Sequence, residues 1–206
     1  MKSLFGAVAI LALVGASSAR ADITLTFEGL GNNAPIGDYY NGGAGGSLGI
    51  HFGPDALALI DNAHGGTGNF SNAPSCCTVM YFLSGPGDVM DVAAGFTTGF
   101  SFFYADQVGF TGSVDVWSGL DGTGSLLTSL SLPSTPNPYN VFVPIGVAFA
   151  GTAKSVVFSG SANFIAFDNV TLGNATPGGG VPEPTSIVLF GTVALGLAVK
   201  LRKRFV

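Results

Sequence analysis

Short runs of alternating or β-branched residues, separated by Gly, Asn, Asp and Pro, recur between residues 22 and 172 and constrain the fold more than any other feature. Runs of this length and period predict strands, and helical periodicity is hard to find among them. About ten strands in roughly 150 residues favour an all-β fold, a two-sheet antiparallel β-sandwich of jelly-roll-like arrangement. The candidate strands are 23–27, 48–52, 56–60, 78–82, 89–93, 99–105, 113–118, 125–132, 140–144, 155–159 and 164–172.

Glycine and phenylalanine supply the turns and the core of this prediction, with 32 and 17 residues respectively. The clearest hairpin turns at Asp121 and Gly122, because glycine takes the positive φ that tight turns require. On its first strand, Val114 and Val116 should face one side of the sheet and Trp117 the other, because side chains alternate along a strand. The phenylalanines are the natural filling between two sheets.

Charge is distributed unevenly along the chain. Residues 22–180 contain eleven of the twelve acidic residues but only one of the seven basic residues, Lys154, so this part has a net charge of −10. Such a surface excludes electrostatic binding of nucleic acid, because phosphate contacts need Lys and Arg. It is compatible with the solvated surface of a secreted protein, or with divalent cations that offset part of the charge.

The N-terminal residues have the three parts of a secretory signal peptide. Lys2 precedes an apolar run at 4–14, and small residues then lead to an A-x-A site that ends at Ala21. We therefore expect a helical signal peptide at 1–21, cleavage between Ala21 and Asp22, and an exported body.

The C-terminal end combines a proline-rich motif, an apolar run at 187–199 and a basic cluster, in that order. The run of 13 residues is short for a permanent anchor, because a membrane-spanning helix needs about 20 apolar residues. The basic cluster would stay on the cytoplasmic side and leave the body outside. The motif is Pro182, Glu183 and Pro184, and the basic cluster is Lys200, Arg202, Lys203 and Arg204.

These elements resemble the PEP-CTERM sorting signal of Gram-negative bacteria, which an exosortase recognises and processes. The resemblance implies a short helical segment that anchors the chain only transiently, removal of the tail, and a body released or attached to the cell envelope or extracellular matrix, often with exopolysaccharide. Similar tails also carry the label of an ice-binding protein C-terminal domain, which implies no activity of the body. The chain then divides into a signal peptide (1–21), a β-sandwich (22–172), a Gly/Pro-rich linker with the sorting motif (173–186), and an apolar and basic end (187–206).

Cys76 and Cys77 are the two cysteines of the chain, and they are adjacent. A disulfide between them is one alternative in an exported protein, although Cα atoms across one peptide lie about 3.8 Å apart and disulfides usually need about 4.4 Å or more. Reduced thiols and cross-links to another chain are the others. Two adjacent thiols alone do not suit structural zinc, because such sites take four ligands at wider spacings.

Two acidic residues form a candidate calcium site. Glu28 follows the first predicted strand and Asp168 lies in the last, and the first and last strands of a jelly roll often lie side by side. Their placement resembles that in secreted jelly-roll domains, including many carbohydrate-binding modules, in which such acids join loop carbonyls around a structural calcium ion. The alternatives are solvated carboxylates, or carboxylates that accept backbone hydrogen bonds. Further oxygen ligands, of the about six to eight that calcium takes, would come from the loop with Asn32, Asn33, Asp38 and Asn41.

No catalytic arrangement emerges from the sequence. The G-x-S-x-G match around Ser47 lies in a glycine run without a following helix, which a nucleophile elbow requires. His51 and His64 have no recognisable catalytic partners. We therefore expect a protein that is not an enzyme.

The expected role is structural or adhesive, with the exosortase as processing partner and extracellular polysaccharide as an associated material. The alternative is a calcium-stabilised carbohydrate-binding module, which needs a concave surface lined with exposed aromatic and polar groups. The candidate aromatic residues are Tyr39, Tyr40, Trp117 and Tyr139.

Overall fold

A computed structural model describes residues 22–136 and 139–178 of the chain. The predicted signal peptide up to Ala21, the sorting motif, the apolar run and the basic cluster lie outside these residues. No helix within them is long and apolar enough to cross a membrane. The elements are β1 (Ile23–Leu25), β2 (Asn41–Gly43), β3 (Gly46–Ser47), β4 (Ile50–Phe52), β5 (Ala56–Ile60), a 3-10 helix (Asn62–His64), β6 (Thr78–Phe82), β7 (Gly87–Asp106), β8 (Gly112–Trp117), β9 (Leu126–Leu132), β10 (Val143–Gly160) and β11 (Ile165–Leu172).

Two long strands, β7 and β10, organise the fold. They pair antiparallel along most of their lengths, with an irregular register between Phe149 and Ser155. Strands β4, β8 and β9 extend the half of this ladder that contains the start of β7 and the end of β10. Strands β11, β6, β5 and β1 extend the other half. Phe158 on the first half packs against Phe102 and Phe167 on the second, with ring centroids 6.2 and 5.0 Å apart. The two halves therefore face each other, which confirms the predicted antiparallel β-sandwich.

The predicted strands are confirmed to within a few residues, except that four of them belong to two. The predictions 89–93 and 99–105 are parts of β7. The prediction 155–159 lies within β10, and the prediction 140–144 overlaps only its first two residues. Gly95 and Gly151 take φ of 69° and 94°. Glycines with positive φ often mark turns. In β7 and β10 they instead accompany register irregularities inside continuous strands, as β-bulges do.

The hairpin of β8 and β9 agrees with its prediction. Asp121 and Gly122 take φ of 54° and 64°, the left-handed conformation of a tight turn. Val114 and Val116 are fully buried in the main core, whereas Trp117 on the other face is half-buried. The main core is rich in aromatic rings, and its fully buried phenylalanines are Phe27, Phe52, Phe82, Phe100, Phe102, Phe158 and Phe167.

A second, smaller hydrophobic cluster covers the face of β5, β6, β11 and β7 that points away from the main core, which we call the outer face. Along β6, Met80 and Phe82 belong to the main core and Val79 to the smaller cluster. All residues of β6 are buried, because both of its faces are covered. The cluster consists of Phe70, Ala73, Val79, Ala105, Tyr139 and Ala166.

The first and last strands pair antiparallel, as predicted. Within β11 the register shifts after Asp168, where Asn169 takes a φ of 48°. As a result Phe167 and Val170 both face the main core, although strict alternation would place them on opposite faces. Asp168, which follows Phe167, falls on the outer face.

Contacts with the body continue into the first residues of the predicted linker. The N–H of Gly173 donates to the carbonyl oxygen of Gly99 at 2.9 Å, and the hydroxyl of Ser101 donates to the carbonyl oxygen of Asn174 at 2.9 Å. A Cβ on Gly146 would lie 2.1 Å from the carbonyl oxygen of Ala175, so any larger residue at position 146 would collide with this segment. The linker boundary after residue 172 stays a prediction.

Candidate ligand-binding cleft and the loop that carries the cysteines

A cleft of about 470 Å³ opens where strands β5 and β6 meet the loops that follow β7 and precede β11. Its described lining contains amide, hydroxyl, aliphatic and aromatic side chains, and none of these residues is charged. The lining residues are Asn33, Leu59, Thr67, Gly68, Asn69, Tyr81, Leu83, Gln107, Tyr139, Asn163 and Phe164.

Two tyrosines form the polar wall of the cleft. The Tyr81 hydroxyl donates to the side-chain oxygen of Asn33 at 2.7 Å, and the Tyr139 hydroxyl contacts Gln107 Oε1 at 3.3 Å and the Phe164 carbonyl oxygen at 3.1 Å. Burial raises the pKa of Tyr81, and burial followed by the charge of Asp106 raises the pKa of Tyr139 to about 12. Both hydroxyls are therefore protonated at neutral pH, and each holds an amide side chain in place.

Apolar groups form the rim of the cleft. The ring of Phe164 stacks on Phe110 with centroids 3.8 Å apart and planes 7° apart. Leu83, which directly follows β6, is 54% exposed. Flat apolar surface thus lies beside the amides.

Of the four aromatic residues proposed for glycan stacking, only Tyr139 lies in the cleft. Tyr40 is buried, and its hydroxyl accepts a hydrogen bond from the N–H of Phe27 at 2.8 Å. Tyr39 packs edge-on against Tyr40, and Trp117 lies on β8.

Of the remaining cleft residues, only Asn33 was assigned a role from the sequence, as a calcium ligand, and Tyr81 and Gln107 are among those that were missed. They come from separate segments that only the fold brings together, so no local spacing marks them. The one available signal was the alternation in β6, which puts Tyr81 on the face opposite Met80.

Asp168 holds one end of a short loop, residues 75–78, which we call the 75–78 loop. Its carboxylate is fully buried and accepts from the Ser75 N–H at 2.9 Å, the Ser75 hydroxyl at 2.6 Å and the Asn169 N–H at 2.7 Å. Burial raises the pKa of Asp168 to about 6, although the hydrogen bonds from Ser75 oppose that shift. The donors around the carboxylate stabilise its charged form.

Glu28 holds the other end of the same loop. Its Oε1 accepts from the N–H groups of Cys77 at 3.2 Å and Thr78 at 2.9 Å, and its Oε2 contacts the Thr78 hydroxyl at 3.3 Å and the Cys77 sulfur at 3.6 Å. Glu28 and Asp168 are thus brought to one region, as expected from the pairing of β1 and β11. They meet there around a backbone loop that supplies hydrogen-bond donors.

The calcium site at Glu28 and Asp168 stays a prediction, and these contacts do not support it, because the nearest groups are donors and calcium needs oxygen ligands. The further ligands suggested for it make other contacts. Asn32 accepts from the Ile60 N–H at 3.0 Å, Asn33 accepts from Tyr81, Asn41 donates to Asp38 at 3.0 Å, and Asp38 also contacts His51 at 2.8 Å.

The two cysteines lie at the centre of the 75–78 loop. Cys76 is exposed, and its sulfur lies 2.6 Å from that of Cys77. The hydrogen bond with Cys76, followed by burial, raises the pKa of the Cys77 thiol to about 12. A disulfide between Cys76 and Cys77 stays a prediction.

The possible catalytic residues are scattered. Ser47 lies on the short, exposed strand β3, and strand β4 follows it where a nucleophile elbow would have a helix. His51 and His64 each contact one aspartate, Asp38 and Asp61, both at 2.8 Å. That the chain is not an enzyme stays an expectation.

Solved structures with a similar arrangement include several carbohydrate-binding proteins. A family 6 carbohydrate-binding module covers 74% of this chain and 93% of its own, with 16% identity and a TM-score of 0.41. CsCBM6-3 from Clostridium stercorarium, in complex with cellobiose, gives the same coverage with 14% identity and a TM-score of 0.40. A family 11 module from Clostridium thermocellum, in complex with a mixed-linked tetrasaccharide, covers 77% of this chain and 98% of its own, with 13% identity and a TM-score of 0.37. Similarity at this level does not identify a ligand.

Among curated proteins, none matches the chain. Residues 180–204 match the family model of the PEP-CTERM protein-sorting motif. This range contains the Pro182, Glu183 and Pro184 motif and the basic cluster, so the predicted sorting signal is confirmed. The chain carries a PEP-CTERM motif, the mark of a protein that is exported and sorted to the cell envelope by an exosortase.

Proposed function

We propose that this exported protein has an adhesive role and binds a neutral, hydroxyl-rich polysaccharide of the envelope or matrix in its cleft, without catalysis. The observation that carries the proposal is the composition of the cleft wall, which is rich in amides and tyrosines and has no charge among its described residues. The sorting motif supports it, because it brings the body to the compartment where such polymers are found.

The chemistry of the cleft suits sugar hydroxyl groups. A sugar hydroxyl both donates and accepts hydrogen bonds, and so do the side-chain amides of Asn33, Asn69 and Gln107. The rim formed by Phe164 and Leu83 offers apolar surface to the C–H face of a sugar ring. A volume of about 470 Å³ lies within the usual range for small-ligand sites.

The overall charge favours a neutral polymer over an acidic one. The part of the chain between residues 22 and 180 has a net charge of −10, and Lys154 is its only cation. An acidic polysaccharide would be repelled at low ionic strength, because like charges interact over about a Debye length.

The test is a calorimetric titration of the purified protein with neutral and acidic bacterial polysaccharides. We expect binding to a neutral polymer, at least a ten-fold loss of affinity in Asn69→Ala and Gln107→Ala, and no loss in Asn41→Ala, an exposed amide outside the cleft. Failure to bind any neutral polymer, or equal affinity in the cleft variants and the control, would refute the proposal. The same titration in EDTA should be unchanged, and a lower melting temperature in EDTA would support the calcium-stabilised alternative.

A further inference from the structure

Away from the cleft wall, a histidine and two thiols meet at the protein surface. The ligand atoms of His64, Cys76 and Cys77 all lie within 4.8 Å of one another. His64 and Cys76 are exposed and Cys77 is half-buried, so the group is open to ions from solvent. All three residues lie in the connection between β5 and β6, His64 at the end of its 3-10 helix and the two cysteines directly before β6.

The imidazole of His64 is oriented by a carboxylate. Its Nδ1 lies 2.8 and 2.9 Å from the two carboxylate oxygens of Asp61, whose side chain is only 6% exposed. Asp61 also accepts from the His64 N–H at 2.8 Å and so caps the 3-10 helix. A carboxylate on Nδ1 keeps the proton on that nitrogen and leaves Nε2 as the basic atom, an arrangement typical of metal-binding histidines.

The backbone around the thiols is held from several sides. The Asp61 N–H donates to the Cys77 carbonyl oxygen at 3.0 Å, while the Cys77 N–H donates to Glu28 at 3.2 Å. Ala73 and Cys76 form a β-bridge, and Cys76 takes a φ of 85°. The loop with His64 is also close to β5, since a Cβ on Gly66 would lie 2.0 Å from the Ile60 carbonyl oxygen. The backbone that carries the three ligands is therefore held in place before any ion arrives.

We propose that His64, Cys76 and Cys77 form a binding site for a thiophilic divalent cation of the Zn²⁺ class. Thiolate and imidazole ligands suit such ions, whereas calcium prefers oxygen. With Zn–S and Zn–N bonds of about 2.3 and 2.0 Å, the ligands of one ion lie within about 4 Å of one another. The three ligand atoms, all within 4.8 Å of one another, are close to that spacing, and the exposed side chains of His64 and Cys76 have room to adjust to an ion.

The proposed site has more ligands than the pair of cysteines that sequence analysis considered unsuitable for zinc. Two adjacent thiols alone offer too few ligands, but the fold adds His64 as a third. Three protein ligands leave one position of a tetrahedral ion for water. On binding, each thiol loses its proton to solvent and the resulting thiolate donates to the metal. The site is separate from the cleft wall and does not depend on the proposed polysaccharide binding.

The test uses the purified full chain, kept reduced with a phosphine, and titrates it with Zn²⁺ and with Co²⁺ as a spectroscopic probe. We expect one ion per chain at micromolar concentrations or below, a thiolate-to-Co²⁺ charge-transfer band, and protection of both cysteines from alkylation. Cys76→Ser and Cys77→Ser should abolish the band, and His64→Gln should weaken binding at least ten-fold. Asp61→Asn should weaken it about ten-fold through the orientation of His64.

The matched control is His51→Gln. His51 is also an exposed histidine with an aspartate on Nδ1, but it is not part of the cysteine group. Its substitution should leave Zn²⁺ affinity unchanged. The proposal is overturned if the reduced protein binds neither ion, if Co²⁺ binds without a thiolate band, or if His64→Gln binds as tightly as the unmodified chain.

Discussion

The cleft and the 75–78 loop differ in chemistry, although one segment contributes to both. Residues after β5 supply Thr67, Gly68 and Asn69 to the cleft and His64 to the cysteines. The cleft is open and neutral in its described lining, whereas the loop is fastened by two carboxylates and presents thiols. The net charge therefore determines the long-range repulsion of acidic polymers, whereas the local electrostatics of each site depend on where the acidic residues lie.

Two buried aspartates on neighbouring strands differ in the hydrogen bonds that their carboxylates accept. Asp168 beside the 75–78 loop accepts three hydrogen bonds. Asp106 on β7, close enough to Tyr139 to raise its pKa, is equally buried, and neither of its carboxylate oxygens has a hydrogen-bond partner among the described residues. Burial raises both pKa values to about 6, so ionisation of either carboxylate disfavours the folded state, but only Asp168 fastens a neighbouring loop through hydrogen bonds.

The largest effect is expected from Asp168→Ala. The substitution leaves the Ser75 N–H and hydroxyl without their acceptor and should lower the free energy of unfolding by about 3 kcal/mol. The measurement is chemical denaturation at neutral pH. Asp115→Ala, a half-buried aspartate on β8 that contacts Ser129, should lose less than about 1 kcal/mol. Equal losses in the two variants would show that the loop is not fastened by Asp168.

The substitution Asp106→Asn, in contrast, should increase the free energy of unfolding. Burial raises the pKa of Asp106 to about 6, above the value of about 3.9 for an unfolded chain. The folded protein therefore binds more protons between these values, and stability falls as the pH rises from about 4 to about 6. Asp106→Asn removes this dependence and should be about 2 kcal/mol more stable than the unmodified chain at pH about 7.

The measurement is the melting temperature of both proteins from acid to neutral pH. Asp88 and Asp168, whose pKa values burial also raises to about 6, give both proteins a slope of the same sign, so the difference between the curves isolates Asp106. The difference should vanish below pH about 4. A difference that is constant with pH would rule out ionisation of Asp106 as its cause.

The smallest expected effect is a loss of polysaccharide affinity in Tyr81→Phe. Tyr81→Phe removes the hydroxyl that positions Asn33 and should lower polysaccharide affinity by about 1 kcal/mol, roughly five-fold. Tyr39→Phe is the matched control, because its hydroxyl donates to the Glu28 carbonyl oxygen and lies outside the cleft. It should leave affinity unchanged. If both variants bind equally well, Tyr81 does not organise the cleft.

Local pattern predicted most of the strands because alternation and turn residues are local properties. The hairpin at Asp121 and Gly122 and the inward Val114 and Val116 follow from them directly. The same reasoning divided β7 and β10, because a glycine with positive φ has the same sequence signal in a turn and in a bulge. Only pairing with a neighbouring strand distinguishes the two.

The candidate sites were less predictable than the strands. Glu28 and Asp168 lie close together as expected, since β1 and β11 pair. The 75–78 loop lies between them, and no sequence spacing predicted that it would contact either residue. Tyr139 was proposed for glycan stacking and lies in the cleft, whereas Tyr81 and Gln107 were not predicted and Asn33 was proposed only as a calcium ligand. His64 had no visible partner until the fold placed it beside Cys76 and Cys77.

By itself the sequence determined the all-β class, the approximate strands and the sorting motif, since each depends on residues close together in the chain. The tertiary structure decided the continuity of β7 and β10, the composition of the cleft, and the meeting of His64 with the two thiols. The first two depend on contacts between distant segments, and the third depends on how the connection between β5 and β6 folds back on itself. The free energy that selects them comes from packing and hydrogen bonding that no short window of sequence contains.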